Sequence, residues 1–197
     1  MSKLFKNKYR IESARLKGWD YQHAASYFIT ICTKNRSHYF GKIMDNEMHL
    51  TEIGKWVEIE WVKTLEIRPD MNLTLGNFVV MPNHFHAIIG IGENEYNSGG
   101  NAMHGRGAMH RASTEKIENN FGPQSKNLAS IIRGFKSSVT KYARINKIDF
   151  LWQPRFHDHI IRNEKSYQRI SDYIPKTLQI GMSINLEKTL NSKPIKI

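Results

Sequence analysis

The segment Met81-Pro82-Asn83-His84-Phe85-His86-Ala87-Ile88-Ile89 is the most informative part of this sequence. A Pro-Asn turn precedes two histidines that flank one bulky apolar residue, and a continuous apolar run follows. Because side chains alternate along a β-strand, His84 and His86 point to one face and Phe85 to the other, towards the core. Two imidazoles about 7 Å apart on one face can share a divalent metal. The alternative is a strand with two partly exposed histidines and no ligand.

The composition is that of a basic globular chain of 197 residues, long enough for a sizeable core. No stretch reaches the roughly 18 consecutive apolar residues that cross a bilayer, so we expect no membrane association. The single cysteine, Cys32, cannot form an internal disulfide, which favours a cytoplasmic location and a small core residue. The net charge of +11 suggests a polyanionic partner, most often nucleic acid, against the alternative of a generally basic surface.

Further elements follow on both sides of the histidine stretch. Residues 73–81 and 84–91 read as a hairpin closed by the Pro-Asn turn, and residues 27–33 as an earlier strand. Apolar residues at helical spacing predict one helix from an N-cap at Thr51 and another over residues 125–146. A last strand covers 156–162, with His157 and His159 on one face. A final helix starts near Asn163 or Glu164, and Pro175 should weaken or end it.

This order of elements predicts an α+β, ferredoxin-like split β-α-β fold. Its antiparallel sheet carries helices on one face, with one C-terminal helix added, and the other face is expected to be free for a ligand or a second subunit. The organisation is a basic N-terminal arm (1–22), one domain (23–180) and a C-terminal tail (181–197). A Gly-, Asn-, Ser- and His-rich stretch at 93–123 predicts a flexible insertion within the domain.

The chain resembles the single-tyrosine HUH transposases, in particular the REP-associated tyrosine transposases, over roughly residues 27 to 178. The resemblance rests on several motifs, which are Phe28-Ile29-Thr30, the run from Val80 to Ile88, Ile131-Ile132-Arg133-Gly134-Phe135-Lys136, Trp152-Gln153-Pro154-Arg155 and Tyr173-Ile174. It implies a DNA nicking and joining enzyme, a strand transferase that binds DNA hairpins and cleaves single-stranded DNA during transposition and recombination.

The resemblance also implies the chemistry. His84 and His86 would hold Mg²⁺ or Mn²⁺, with imidazole favouring Mn²⁺, and the metal would polarise the scissile phosphate. Tyr173 is the implied nucleophile, which leaves a 5′-phosphotyrosine and a free 3′-OH. Tyr167, six residues earlier, is the rival nucleophile, and the Tyr-Ile pair of the family selects Tyr173. No small-molecule cofactor is implied.

The chain departs from the family after the tyrosine. The family continues Tyr-Ile with Asn-Pro and places a polar metal ligand one helical turn beyond the tyrosine. Here Thr177 occupies that position, and a hydroxyl is a poor ligand, while the amide of Gln179 is displaced. His159 is the candidate substitute, with phosphate orientation or core packing as its alternative role. A catalytically degenerate protein of the same fold, which binds structured nucleic acid without cutting it, is therefore the alternative function.

The resemblance names the partners as well. Candidate DNA contacts are Arg36, Arg133, Lys136, Arg155 and His159, and each arginine or lysine could equally be a solvated charge. Trp152 and Phe156 would stack on bases or join the core. The family implies a homodimer, in some members with the tyrosine helix exchanged between subunits, and association with the nucleoid. A zinc hydrolase built on the two histidines ranks lower, because no His-Glu-x-x-His or Cys-x-x-Cys pattern accompanies them.

Overall fold

A computed structural model of the chain describes residues 16, 18–45, 47–98 and 125–191, with side chains described as far as Thr177. The strands are β1 (Ala25–Cys32), β2 (Gly41–Met44), β3 (Glu47–Leu50), β4 (Leu73–Met81), β5 (His84–Ile91) and β6 (His157–Ile161). The helices are α1 (Glu52–Val62), α2 (Thr64–Ile67), α3 (Leu128–Ile145) and α4 (Glu164–Asn191). Short 3₁₀ turns cover Lys34–Arg36 and Pro69–Met71.

The main sheet has four antiparallel strands in the order β4-β5-β1-β6, and β2 and β3 form a separate hairpin. Chain-neighbouring β4 and β5 pair directly, while the helical connections carry the chain from β1 to β4 and from β5 to β6 across the sheet. This is the strand order of the split β-α-β plan. The predicted α+β, ferredoxin-like fold class is therefore confirmed.

The core lies between one face of the sheet and the helices α1 and α3. Alternate residues of the two central strands point into it, including Ile29 of β1 and Phe85 of β5. Trp61 of α1 contacts the edges of Phe85 and Phe135, with ring centroids 5.1 and 5.3 Å apart. The side chain of Thr51 accepts a hydrogen bond from the Gly54 backbone N–H, which confirms the predicted N-cap.

The opposite face of the sheet is partly covered by α4, so the prediction of a free second face is wrong. Ile170 and Ile174 of α4 pack there on Ile88 and Ile161. On this face β5 presents His84, His86 and Ile88, and β6 presents His157, His159 and Ile161, so each strand has histidines towards one end and an isoleucine towards the other. The helix α4 packs on the apolar part of this face, and the histidines lie next to the helix.

The helix α4 continues through Pro175, whereas the sequence predicts that proline to weaken or end it. Proline has no backbone N–H, so the Ser171 carbonyl one turn earlier loses its partner within the helix. The Asn77 side chain of β4 replaces that partner, since its Nδ2 donates to the Ser171 carbonyl oxygen over 3.0 Å. The helix extends to Asn191, and the predicted tail from residue 181 is therefore helical as far as that residue.

Two predicted segments lie largely outside the described residues, the basic arm at 1–22 and the insertion at 93–123. Of the arm, Tyr21 joins the buried core and its carbonyl accepts from the Leu128 backbone N–H. Of the insertion, the described start forms a hydrogen-bonded turn in which Asn94 Nδ2 donates to the Met71 and Gly92 carbonyls. The segment boundaries stay predictions.

Within the described residues, no helix combines the length and apolar character that crossing a membrane requires.

Candidate active site

The two histidines of β5 lie side by side on the sheet face that α4 partly covers. Their ring centroids are 4.6 Å apart and the rings are nearly perpendicular. Across the neighbouring strand, His84 pairs with Cys32 and His86 with Thr30. Paired residues of an antiparallel sheet share a face. The sequence prediction that both imidazoles occupy one face, with Phe85 buried behind them, agrees with this geometry.

Each imidazole is held through its Nδ1 atom. His84 Nδ1 lies 2.7 Å from Asn83 Oδ1, and Asn83 Nδ2 donates to the Arg36 carbonyl oxygen over 3.2 Å. Because the amide oxygen can only accept, we assign the proton of His84 to Nδ1. His86 Nδ1 lies 2.8 Å from the Thr30 hydroxyl. Both hydrogen bonds leave the Nε2 atoms available to a ligand.

Both histidines are neutral at physiological pH. Burial lowers the pKa of His84 to about 4, helped by repulsion from His86 and Arg36. Burial also lowers the pKa of His86 to about 4, against a backbone hydrogen bond to Ile29 that raises it. Neutral imidazoles keep the lone pairs that a metal requires. The electrostatics of the pair therefore fit metal ligation.

Tyr173 of α4 stands next to this pair. Its ring centroid is 6.1 Å from that of His86 and 6.4 Å from that of Phe28, and the residue is 42% exposed. Tyr167 packs instead against the apolar cluster under α4. Its hydroxyl would be 2.8 Å from a Cβ placed on Gly76, so it lies over β4. Of the two candidate tyrosines, Tyr173 is the one that contacts a predicted metal ligand.

The predicted third ligand, Thr177, is 6% exposed and its hydroxyl donates to the Tyr173 carbonyl oxygen over 3.0 Å. This bond occupies the hydroxyl proton and leaves only a neutral oxygen, which is a weak ligand. In the part of the chain with described side chains, no group of three or more His, Cys, Asp and Glu residues is arranged to hold a metal. The side chain of Gln179 lies outside that part.

The histidines of β6 share the face of the pair but stand two strands away. Thr30 pairs with both His86 and His157, while His159 pairs with Phe28. Two strand spacings amount to about 10 Å, so neither β6 histidine is beside the pair at backbone level. His157, rather than the predicted His159, occupies the same cross-strand row as His86. This register could not be read from the sequence.

The predicted DNA contacts divide between two sides of the sheet. Arg133, Lys136 and Arg155 line one groove of about 530 Å³ together with Trp152 and Phe156. Lys141 and Arg144 of α3 line the same groove and are additional cations that the prediction omitted. The groove lies on the α3 side, opposite the histidines, and its mixture of cations and aromatic rings suits nucleic acid.

Lys136 has a structural role within this groove. Its Nζ donates to the Gln153 and Arg155 carbonyl oxygens over 2.8 and 3.1 Å, and burial lowers its pKa. The Trp152 indole N–H donates to the Lys136 carbonyl oxygen over 3.1 Å. Lys136 therefore fixes the loop before β6. Arg36, in contrast, lies on the histidine side, where its carbonyl orients Asn83.

No protein-family model matches the chain. Among solved structures, it is similar to a REP-associated tyrosine transposase bound to a REP hairpin, with 20% identity, a TM-score of 0.46 and coverage of 87% of this chain and 72% of the other. A Deinococcus radiodurans protein of proposed transposase function gives 18% identity, a TM-score of 0.35 and coverage of 82% and 97%.

An uncharacterised protein of Haemophilus influenzae is 37% identical over 166 residues, which cover 82% of this chain and 84% of the relative. The chain therefore belongs to the same family as this Haemophilus influenzae protein, and in its motifs it resembles the REP-associated tyrosine transposases.

Proposed function

We propose that the protein is a metal-dependent, transposase-like enzyme that nicks and rejoins single-stranded DNA through a tyrosine. The observation that carries this proposal is the position of Tyr173, whose ring stands 6.1 Å from that of His86, beside His84. A partly exposed tyrosine beside two neutral imidazoles that could hold a metal can serve as the nucleophile in covalent catalysis at a phosphodiester.

The donor set fits a divalent ion that keeps open positions. His84 and His86 would hold it through Nε2, because their Nδ1 atoms are engaged by Asn83 and Thr30. Mg²⁺ or Mn²⁺ is the proposed ion, and two imidazoles favour Mn²⁺. Bound there, the ion would supply Lewis-acid polarisation of the phosphate.

Tyr173 performs the exchange of bonds. Its hydroxyl oxygen forms a bond to phosphorus while the bond from phosphorus to the 3′ oxygen breaks. The phenol proton is lost, and the departing 3′ oxygen gains one. The product is a 5′-phosphotyrosine with a free 3′-OH, and the reverse attack by a 3′-OH rejoins the strand and frees the tyrosine.

DNA binding is assigned to the groove on the α3 side. Its arginines and lysines can contact phosphates, and the chain carries a net charge of +11. The sequence resemblance supports a hairpin with single-stranded flanks as the ligand. A homodimer and association with the nucleoid complete the proposal on the same basis.

The second candidate is a protein that binds structured DNA without cutting it. The identity of Thr177 favours it, because this hydroxyl is already bonded to the Tyr173 carbonyl. Two histidines and a hydroxyl would hold a divalent ion weakly, and cleavage depends on that ion.

A covalent-adduct assay separates the two functions. The protein is mixed with labelled hairpin DNA carrying single-stranded flanks and with Mn²⁺ or Mg²⁺, and the products are resolved on a denaturing gel. The enzyme gives a metal-dependent shifted band that Tyr173→Phe abolishes. Tyr167→Phe is the matched control and retains the band. Hairpin binding without an adduct under either metal supports the non-cutting protein.

A further inference from the structure

A second groove, of about 800 Å³, opens at the sheet edge where β6 leads into α4. Three cationic side chains line it, from Arg162, Lys165 and Arg169. Its apolar wall includes Tyr21 and Ile160. The groove shares no lining residue with the α3 groove, and β6 is an edge strand of the main sheet.

Asp158 supplies an unusual feature in this groove. Its register opposite Ile29 turns it to the core side of β6. One carboxylate oxygen, Oδ1, is buried and has no hydrogen-bond partner among the residues that the structure describes. A buried acceptor without a partner costs about 1–3 kcal/mol and calls for an explanation. A ligand that brings a hydrogen-bond donor to this oxygen would provide one.

The cations connect the groove to the candidate active site. Lys165, Arg169 and Tyr173 follow each other at intervals of four residues on α4, so they lie along one side of the helix. Each interval corresponds to about 6 Å along the helix axis. A polyanion that follows this side would pass from the groove to the tyrosine.

We propose that the groove binds a nucleotide of the single strand next to the scissile phosphate and reads its base through Asp158. Three properties of a nucleotide match the groove: a base N–H for the carboxylate, a flat apolar ring for Tyr21 and Ile160, and phosphates for the cations. Adenine, cytosine and guanine offer an exocyclic amino group. In thymine, carbonyl oxygens flank the single N–H donor and repel a carboxylate. The groove therefore selects against thymine.

This inference rests on the proposed DNA function, and its test needs no cleavage. Fluorescence anisotropy in EDTA measures binding of the full chain to a labelled ten-nucleotide dT strand and to strands in which dC or dA replaces one dT at each position in turn. We expect at least one replacement to bind about fivefold tighter or more, the effect of one correctly read base. Asp158→Ala should reduce that ratio to near one.

Asp172→Ala is the matched control, because it also removes one negative charge. Asp172 is exposed, and its carboxylate accepts a hydrogen bond from the Gln168 side chain. This control should preserve the ratio. Lys165→Gln and Arg169→Gln should weaken binding to every strand alike, since they contact phosphates. Asp158→Ala should not lower the free energy of unfolding, because it removes a buried acceptor, Oδ1, that has no partner among the described residues.

Equal affinities for all strands in the unmodified protein, or a ratio that survives Asp158→Ala, would overturn the inference. The adduct assay reports separately on the enzyme. A base preference that depends on Asp158, without any adduct, would support base recognition in the groove and reject the nicking reaction. An adduct without such a preference would support the nicking reaction and reject base recognition in the groove.

Discussion

Asn83 orients the imidazole that stands at the centre of the site. Its Oδ1 lies 2.7 Å from His84 Nδ1 and directs the Nε2 lone pair to the ligand position. We predict that Asn83→Ala weakens Mn²⁺ binding about tenfold or more, as loss of such outer contacts generally does. Electron paramagnetic resonance titration of free Mn²⁺ measures this directly.

Asn83→Asp is the control for that change, because it keeps an oxygen that accepts from Nδ1. It should retain Mn²⁺ affinity, and ¹⁵N chemical shifts of His84 should still report the Nδ1–H form. If Asn83→Ala leaves both the affinity and the tautomer unchanged, Asn83 does not orient His84.

The lowered pKa values of His84 and His86 make stability depend on pH. Both values are about 4 in the folded protein, against 6.5 in an unfolded chain, so the unfolded state binds more protons between these limits. The contribution of the two neutral histidines to the free energy of unfolding is therefore fully present above about pH 6.5, and it decreases as the pH falls towards 4. For His86, which is 8% exposed, the loss is about 3 kcal/mol.

Urea unfolding in EDTA at a series of pH values tests this dependence without metal. Replacing both histidines with glutamine should flatten the curve between pH 4 and 6.5. His159→Gln, an exposed position, should leave the curve as it is. A curve equally steep after the double replacement would show that other groups set the acid sensitivity.

Local sequence patterns predict some of the candidate site residues but not others. The period of two along a strand places His84 and His86 on one face, and the Tyr-Ile pair of the family that the chain resembles selects Tyr173, so these three candidates can be proposed from the sequence. Thr30 matters because the sheet register pairs it with His86, and Asp158 matters because the register places it opposite Ile29, on the core side of β6. Both pairings join residues that are distant in sequence, and no local pattern specifies them.

The helix α4 illustrates how a distant contact overrides a local signal. Proline inside a helix costs about 3 kcal/mol or more, which justified the prediction that α4 weakens at Pro175. The carbonyl that proline leaves unpaired, that of Ser171, accepts from Asn77 Nδ2, and the same Nδ2 donates to the Ser171 hydroxyl over 2.8 Å. Asn77 is 94 residues away, so the compensation is not visible in the sequence.

This contact predicts coupling between Asn77 and Pro175. Asn77→Ala should destabilise the protein by about 1 kcal/mol, the usual net contribution of one hydrogen bond. In a Pro175→Ala background, the new backbone N–H supplies Ser171 with its helical partner. The cost of Asn77→Ala should then fall by about 0.5 kcal/mol or more. Denaturant unfolding of the four proteins in this cycle measures the coupling.

Asn72→Ala offers a comparison, since the Asn72 side chain also donates to a backbone carbonyl, but to that of Glu93 rather than to one in α4. Its cost should be the same with or without Pro175. Equal costs of Asn77→Ala in both backgrounds would mean that the Asn77 contact does not compensate for the proline.

The arrangement of the sheet follows from the order of elements, because connections between neighbouring strands are short and the two helical crossovers share one hand. That is why the fold class could be predicted from strand and helix patterns alone. The position of α4 on the second face could not, since either a ligand or a helix can cover Ile88 and Ile161. The sequence shows that a surface is apolar, and tertiary structure decides what covers it.

The charge of the entire chain predicts how DNA binding responds to salt. Each phosphate contact releases a counterion, so the affinity for a labelled hairpin should fall linearly on a log–log plot against salt. Arg144→Gln and Arg155→Gln, both in the α3 groove, should each reduce that slope by about 1. Lys55→Gln removes the same charge from an exposed ion pair with Glu52 on α1 and should leave the slope unchanged. If all three variants changed the slope equally, the net charge of +11 rather than the groove would hold the DNA.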